Sequence, residues 1–174
     1  LLILLDLNGT LLFRSMDTLP TEKSFYKHRD DQRKYYYRPF AHDFVAYLLE
    51  QRHTNDCVQV AFYSSMTGKN ATAAAGYLDS THRMHVYPRN YNQRDLASDN
   101  EWAVIRDLHA VWGAAGTPGF EHTARSTVMI DDTCRKLREF PENLVQVPEY
   151  TAESVVQGEG FHLQLLKTHI EAIV

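Results

Sequence analysis

An α/β fold with a doubly wound, mostly parallel sheet is what this sequence predicts, and three observations predict it. The chain opens on Leu1-Leu-Ile-Leu-Leu5, aliphatic at every position, which suits a strand buried on both faces. Two further apolar runs, Cys57–Tyr63 and Thr127–Ile130, end as the first does, in polar residues: Ser64-Ser65 and Asp131-Asp132 against Asp6. Between these runs lie segments with helical spacing, the alternation that builds a parallel sheet.

After the first strand, residues 14–38 are polar and mixed in charge, and they read as a long loop. Tyr35-Tyr36-Tyr37 reads as a short strand leading into Arg38-Pro39. From Phe40 to Glu50 apolar residues recur at helical spacing, with Pro39 at the start. Cys57–Tyr63 is the second strand, and the alanines within Asn70–Leu78 favour a helix. His85–Tyr87 is a short strand, and residues 88–100 have loop composition. Trp102, Ile105, Leu108, Val111 and Trp112 are read as one helical stripe packed in the core, which the glycines from Gly113 to Gly119 break. Thr127–Ile130 and Leu144–Val147 are strands, and Phe161–Val174 is a terminal amphipathic helix.

A length of 174 residues suits one domain, with a small insertion at 80–101 and no large cap. The start inside a core strand, without Met, leads us to expect an excerpt of a longer protein. A formal net charge of −4 argues against a general nucleic-acid binder. No apolar stretch approaches the roughly 20 residues that span a bilayer. Cys57 and Cys134 form neither a metal-type pair nor a disulfide framework, which points to a reducing intracellular compartment: nucleus, cytoplasm or mitochondrion.

In a parallel sheet, ligands gather beyond the carboxyl ends of the strands. Asp6, Ser64 and Asp131-Asp132 are expected to meet there. Such a set suits phosphoryl transfer, which needs a nucleophile, a metal and fixed donors on the phosphate oxygens. Mg²⁺ takes carboxylate oxygens and water, and Asp6 with Asp131-Asp132 would supply the carboxylates. Asp131-Asp132 also reads as a helix cap before Thr133-Cys134-Arg135-Lys136.

The residues Asp6-Leu-Asn8-Gly9-Thr10 resemble the Asp-x-Asp-Gly-Thr motif of the haloacid dehalogenase superfamily, whose first Asp is a phosphate-accepting nucleophile. Arg38-Pro39-Phe-Ala-His-Asp43-Phe44 is similar to the Arg-Pro-x-x-x-x-Phe segment of RNA polymerase II C-terminal-domain phosphatases and the related small phosphatases. Val60 to Ser64, Arg106-Asp107-Leu108, Ile130 to Thr133 and Pro141-x-Asn143 resemble their later motifs. The mitochondrial import receptor Tim50 uses the same domain, so the resemblance fixes neither compartment nor activity. It implies a Rossmann-like haloacid dehalogenase fold. It also implies Asp6 as nucleophile and Arg106 as the cation, with Gly9, Thr10 and Ser64 binding phosphate. Asp6, the Asn8 backbone carbonyl, Asp131 and Asp132 would hold Mg²⁺.

Two departures bear on activity. Asn8 stands where active members carry the Asp that protonates the leaving alcohol and activates water, and an amide serves neither step. Arg106 replaces a lysine, offering a planar fork for a compact ammonium. Lys69 is a spatial substitute for that ammonium or a solvent-facing helix residue. P-type ion pumps also lack the second carboxylate and still form an aspartyl-phosphate, so phosphotransfer without efficient hydrolysis stays open.

The leading expectation is a pseudophosphatase that binds a protein partner or phosphopeptide. The alternatives are a working Mg²⁺-dependent phosphoserine/threonine phosphatase, and an RNA-associated subunit using the basic-aromatic residues of Lys23–Arg38. His82 and His85 offer two zinc ligands without further partners. Cys134 reads as a small buried apolar residue.

Overall fold

The computed structural model describes residues 1–27, 32–115 and 121–171. In chain order it contains β1 (Leu2–Leu5), β2 (Leu12–Ser15), β3 (Tyr26–Lys27), β4 (Lys34–Tyr37), α1 (Ala41–Thr54), β5 (Gln59–Tyr63), α2 (Gly68–Leu78) and β6 (His85–Tyr87). Then follow β7 (Asn92–Arg94), β8 (Val104–Arg106), α3 (Leu108–Ala115), β9 (Thr127–Asp131), β10 (Leu144–Gln146), α4 (Ala152–Gln157) and α5 (His162–Glu171).

The opening aliphatic run becomes the middle strand of a five-stranded sheet ordered β10-β9-β1-β5-β6, parallel at every pairing. All four residues of β1 are buried, and alternate ones serve opposite faces. Ile3 and Leu5 pack with Phe44, Val45 and Leu48 of α1 and with the alanines of α2. Leu2 and Leu4 pack with Leu108 and Val111 of α3. Two covered faces explain why the strand has no polar alternation. The chain winds from β1 through β5 to β6, then crosses back to β9 and β10 on the other side. The crevice of this α/β sheet therefore opens at the carboxyl ends of β1 and β9.

Three expectations about elements are corrected. Segment 14–38, read as loop apart from the strand at Tyr35–Tyr37, takes part in a three-stranded antiparallel sheet ordered β2-β4-β3, which pairs Phe13 with Tyr36 and Tyr26 with Tyr35. Strands this short leave no periodicity in a polar sequence, yet they bury Tyr35 and Tyr36. His28, Arg29, Asp30 and Asp31 of that segment lie outside the described residues, as do 116–120 and 172–174, the last of which the sequence assigns to the terminal helix.

The stripe from Trp102 is not one helix. Val104–Arg106 is a strand pairing antiparallel with Asn92–Arg94, inside the stretch read as loop. Helix α3 begins only at Leu108, where Asp107 Oδ1 accepts the backbone N–H of Ala110 at 3.1 Å. Spacings of three mimicked a helix across a strand and a helix start. Trp102 is not in the core but 68% exposed, with the Arg89 guanidinium 5.5 Å from its ring centre.

Cys134 is exposed rather than buried. It opens a 3-10 turn, Cys134–Leu137, whose buried anchor is Leu137. Helix α4 is an element the sequence reading did not find. Thr151 Oγ1 caps it by accepting from Ser154 N at 3.3 Å, and Gly158 ends it at φ 77°. No helix among the described residues is long and apolar enough to cross a membrane.

Candidate functional site

Sheet register assembles the site. Leu5 pairs with Phe62 on one side and Ile130 on the other. The residues just past these partners, Asp6, Tyr63-Ser64 and Asp131-Asp132, therefore emerge at one edge. Asp6 N donates to Ile130 O at 2.9 Å, fixing the first carboxylate beside the acidic pair.

The chain then turns sharply, with Gly9 N on Leu12 O at 2.8 Å and Leu11 N on Leu7 O at 2.8 Å. Gly9 sits at φ 92°, in the region that favours glycine. A Cβ there would also lie 2.8 Å from the Asp132 carboxyl carbon. The turn aims Thr10 inward, where its hydroxyl lies 3.2 Å from Asp132 Oδ1 and 3.5 Å from Asp6 Oδ2. Asn8, at the tip, is exposed.

Arg106 ends β8 fully buried, and its fork spans the cluster. Nη2 donates to Asp6 Oδ1 at 2.6 Å and to Asp131 Oδ2 at 2.7 Å, while Nε reaches the same Asp131 oxygen at 3.0 Å. Nη1 donates to Asn92 Oδ1 at 3.1 Å, and the guanidinium carbon lies 4.8 Å from the Tyr63 ring centre. Asn92 donates in turn to the Ser64 carbonyl at 3.1 Å. Ser64 is buried and thus tied to Arg106 through Asn92, while its hydroxyl accepts from Met66 N at 3.2 Å.

A second cation comes from the 3-10 turn after the acidic pair. Lys136 Nζ lies 3.4 Å from Asp131 Oδ1, 3.7 Å from Asp132 Oδ1 and 3.8 Å from Asp6 Oδ2. Thr133 donates its N–H to Asp131 Oδ1 at 2.9 Å and its hydroxyl to Asp132 Oδ2 at 2.6 Å. The acidic pair thus caps the turn as well as facing Asp6. That turn is fastened to the β7–β8 ribbon through the buried carboxylate of Asp95, which accepts from Arg135 and, at 2.9 Å, from Arg138.

Electrostatics follow from this packing. Burial pushes the Asp6 carboxyl up to about 6, opposed by Lys136 and Arg106 and reinforced by Asp131. Burial works against the charge on Arg106, but Asp6 and Asp131 hold its pKa above the ordinary value. Lys136 is likewise raised against burial by Asp6 and Asp131. Asp132 resists burial through Lys136 and the Thr133 hydroxyl, and its pKa falls below the ordinary value. Beside the site, burial lowers Arg38 to about 10 despite the pull of Tyr150 and Asp132, and its Nε and Nη1 make no hydrogen bond.

Asp6, Asp131 and Asp132 each offer one oxygen within 4.8 Å of the others, a donor set that suits a hard divalent cation. His82 and His85 do not belong to that group. Lys69 is exposed on α2. The sequence reading missed Lys136 and Asn92 as site residues. The spacing of Lys136, four residues after Asp132, was the available signal.

Comparison with known proteins agrees with this arrangement. Residues 1–172 match the family of NLI interacting factor-like phosphatases. An uncharacterized FCP1 homology domain-containing protein of Schizosaccharomyces pombe is 25% identical over 163 residues, covering 88% of this chain and 62% of that protein. The chain therefore spans less than two thirds of that relative. The fission yeast RNA polymerase II CTD phosphatase Fcp1 bound to beryllium fluoride shares the fold at a TM-score of 0.55 and 13% identity, over 98% of this chain and 54% of that one. A second Fcp1 structure gives 0.54 and 14%, over 98% and 53%. With the strand order, the strand-end acids and a match over nearly its whole length, this chain belongs to the NLI interacting factor-like phosphatase family.

Proposed function

We propose that the domain is a phosphatase-fold module with a degenerate active site, catalytically weak or inactive, that binds a protein partner or phosphopeptide at the carboxyl edge of its sheet. The observation that carries this reading is that, among the described residues, no uncommitted carboxylate stands with Asp6 to shuttle a proton. The residue two positions on is the amide Asn8, and the other carboxylates of the cluster, Asp131 and Asp132, already face Arg106 and Lys136. General acid–base assistance is worth about 10² to 10⁴ in rate, so its loss adds on the order of 3 to 5 kcal/mol to the barrier.

The orphaned donors of Arg38 are the groups at this edge left to meet an anion, since Arg106 and Thr10 already donate to the acid cluster. Asp6, Asp131, Asp132 and the Asn8 carbonyl would hold Mg²⁺, which when bound neutralises phosphate oxygens. Fcp1, named for the RNA polymerase II CTD, is directed at a protein, and that favours a protein ligand here.

The second reading is an active Mg²⁺-dependent phosphoserine/threonine phosphatase working through a phosphorylated Asp6. The complete acid triad favours it. Turnover of an aryl phosphate with Mg²⁺ separates the two. Little or no wild-type hydrolysis, gained in an Asn8→Asp, Arg106→Lys double variant, supports the first. Robust wild-type hydrolysis abolished by Asp6→Asn overturns it.

A further inference from the structure

Each acid of the cluster divides its two oxygens. Arg106 takes Asp6 Oδ1 and Asp131 Oδ2, and the Thr133 hydroxyl takes Asp132 Oδ2. The other three, Asp6 Oδ2, Asp131 Oδ1 and Asp132 Oδ1, meet among the described residues only the Thr10 hydroxyl and the Thr133 N–H besides the ammonium of Lys136, which stands among them. Its distances of 3.4 to 3.8 Å exceed the roughly 2.8 Å of a dedicated charge-assisted hydrogen bond. A cation shared among three acceptors has that spacing.

A divalent ion at this triad would need the same three oxygens at about 2.0–2.1 Å for Mg²⁺. The ammonium and the ion would then be like charges crowded into one buried pocket. Three carboxylates set against Arg106 and Lys136 leave one formal negative charge. A divalent ion added without removing Lys136 would reverse that sign. Lys136 has a route out, since its side chain is 17% exposed and ends a flexible four-carbon stem.

We propose that Lys136 is a tethered cation that occupies the metal position of the acid triad, so that the pocket is charge-compensated without metal and a divalent ion enters only when Lys136 swings out to solvent. This deepens the reading of a poorly active site, but it is decided by metal affinity and not by turnover.

Calorimetric titration of MnCl₂ into the wild type and into Lys136→Met tests it, with Asp131→Asn as the variant that loses a ligand. Lys136→Met is expected to bind Mn²⁺ roughly ten- to a hundredfold more tightly than the wild type. Equal or weaker affinity in Lys136→Met, including no binding by either protein, overturns the proposal. The wild type gives an independent test if the variant folds poorly. The ¹⁵Nζ resonance of Lys136 should move toward its solvent value as Mg²⁺ is added at millimolar concentration. A resonance that stays fixed while Mg²⁺ binds overturns the proposal too. Aryl phosphate hydrolysis by the wild type would sink the degenerate-site reading and leave this one standing.

Discussion

Arg106 grips Asp131 with two nitrogens, at 3.0 and 2.7 Å on the same carboxylate oxygen, with both side chains fully buried. Breaking a buried pair from one side strands the other charge. Arg106→Ala should lower stability by about 3–5 kcal/mol in urea unfolding. An Arg106→Met, Asp131→Leu double variant should lose less than the sum of its single changes, because it removes both charges. Additive losses would show that the pair is not coupled.

Two glycines should respond to alanine with opposite signs. Gly9→Ala meets both a φ of 92° and an Asp132 carboxyl 2.8 Å from the new Cβ, and should cost upward of about 2 kcal/mol. Gly113 lies within α3, and a methyl group added there would meet nothing within 4 Å, so Gly113→Ala should add about 0.5–1 kcal/mol. Denaturation midpoints of the two variants check the pair.

Acid sensitivity should arise in part at Asp79. Burial would raise its pKa, but the Thr81 hydroxyl at 2.6 Å and the backbone N–H groups of Met84 and Thr81 outweigh burial and hold it below the ordinary 3.8. Because the unfolded chain binds the proton more readily, this stabilisation is complete above pH 3.8 and disappears as pH falls through the lower folded value. Asp79→Asn should cost about 1–2 kcal/mol at pH 7 and flatten that acid limb. An unchanged slope in the variant would remove Asp79 from the account.

The misread stripe yields a direct contrast. Trp102→Ala should change stability by less than about 1 kcal/mol, since the ring is exposed. Leu108→Ala, in the core cluster with Leu2 and Leu4, should cost about 2–5 kcal/mol. Thermal unfolding of both variants checks the contrast.

Strand ends were the legible part of this chain. An aliphatic run closing on Asp6, and a second closing on Asp131-Asp132, announce where a parallel sheet presents its chemistry, and register does the rest. Arg106 was legible only by resemblance, because its strand is three residues long and overlaps a false helical spacing. Lys136 and Asn92 were not read as site residues, since what places them is contact through space. Lys136 looks like an ordinary residue of a basic turn until Asp6, distant in sequence, is folded against it. Strand β4 was legible from Tyr35-Tyr36-Tyr37, whereas β2 and β3 escaped notice because two to four residues cannot display a period.

Asp95 links the two sources of positive charge. It sits at the far end of the ribbon that delivers Arg106, and it binds Arg135 and Arg138 on either side of Lys136. Both cations therefore hang from a single bracket. A partner or a substitution that tilts the ribbon re-aims the guanidinium and the ammonium together, so the acids would lose or regain their counterions in one movement.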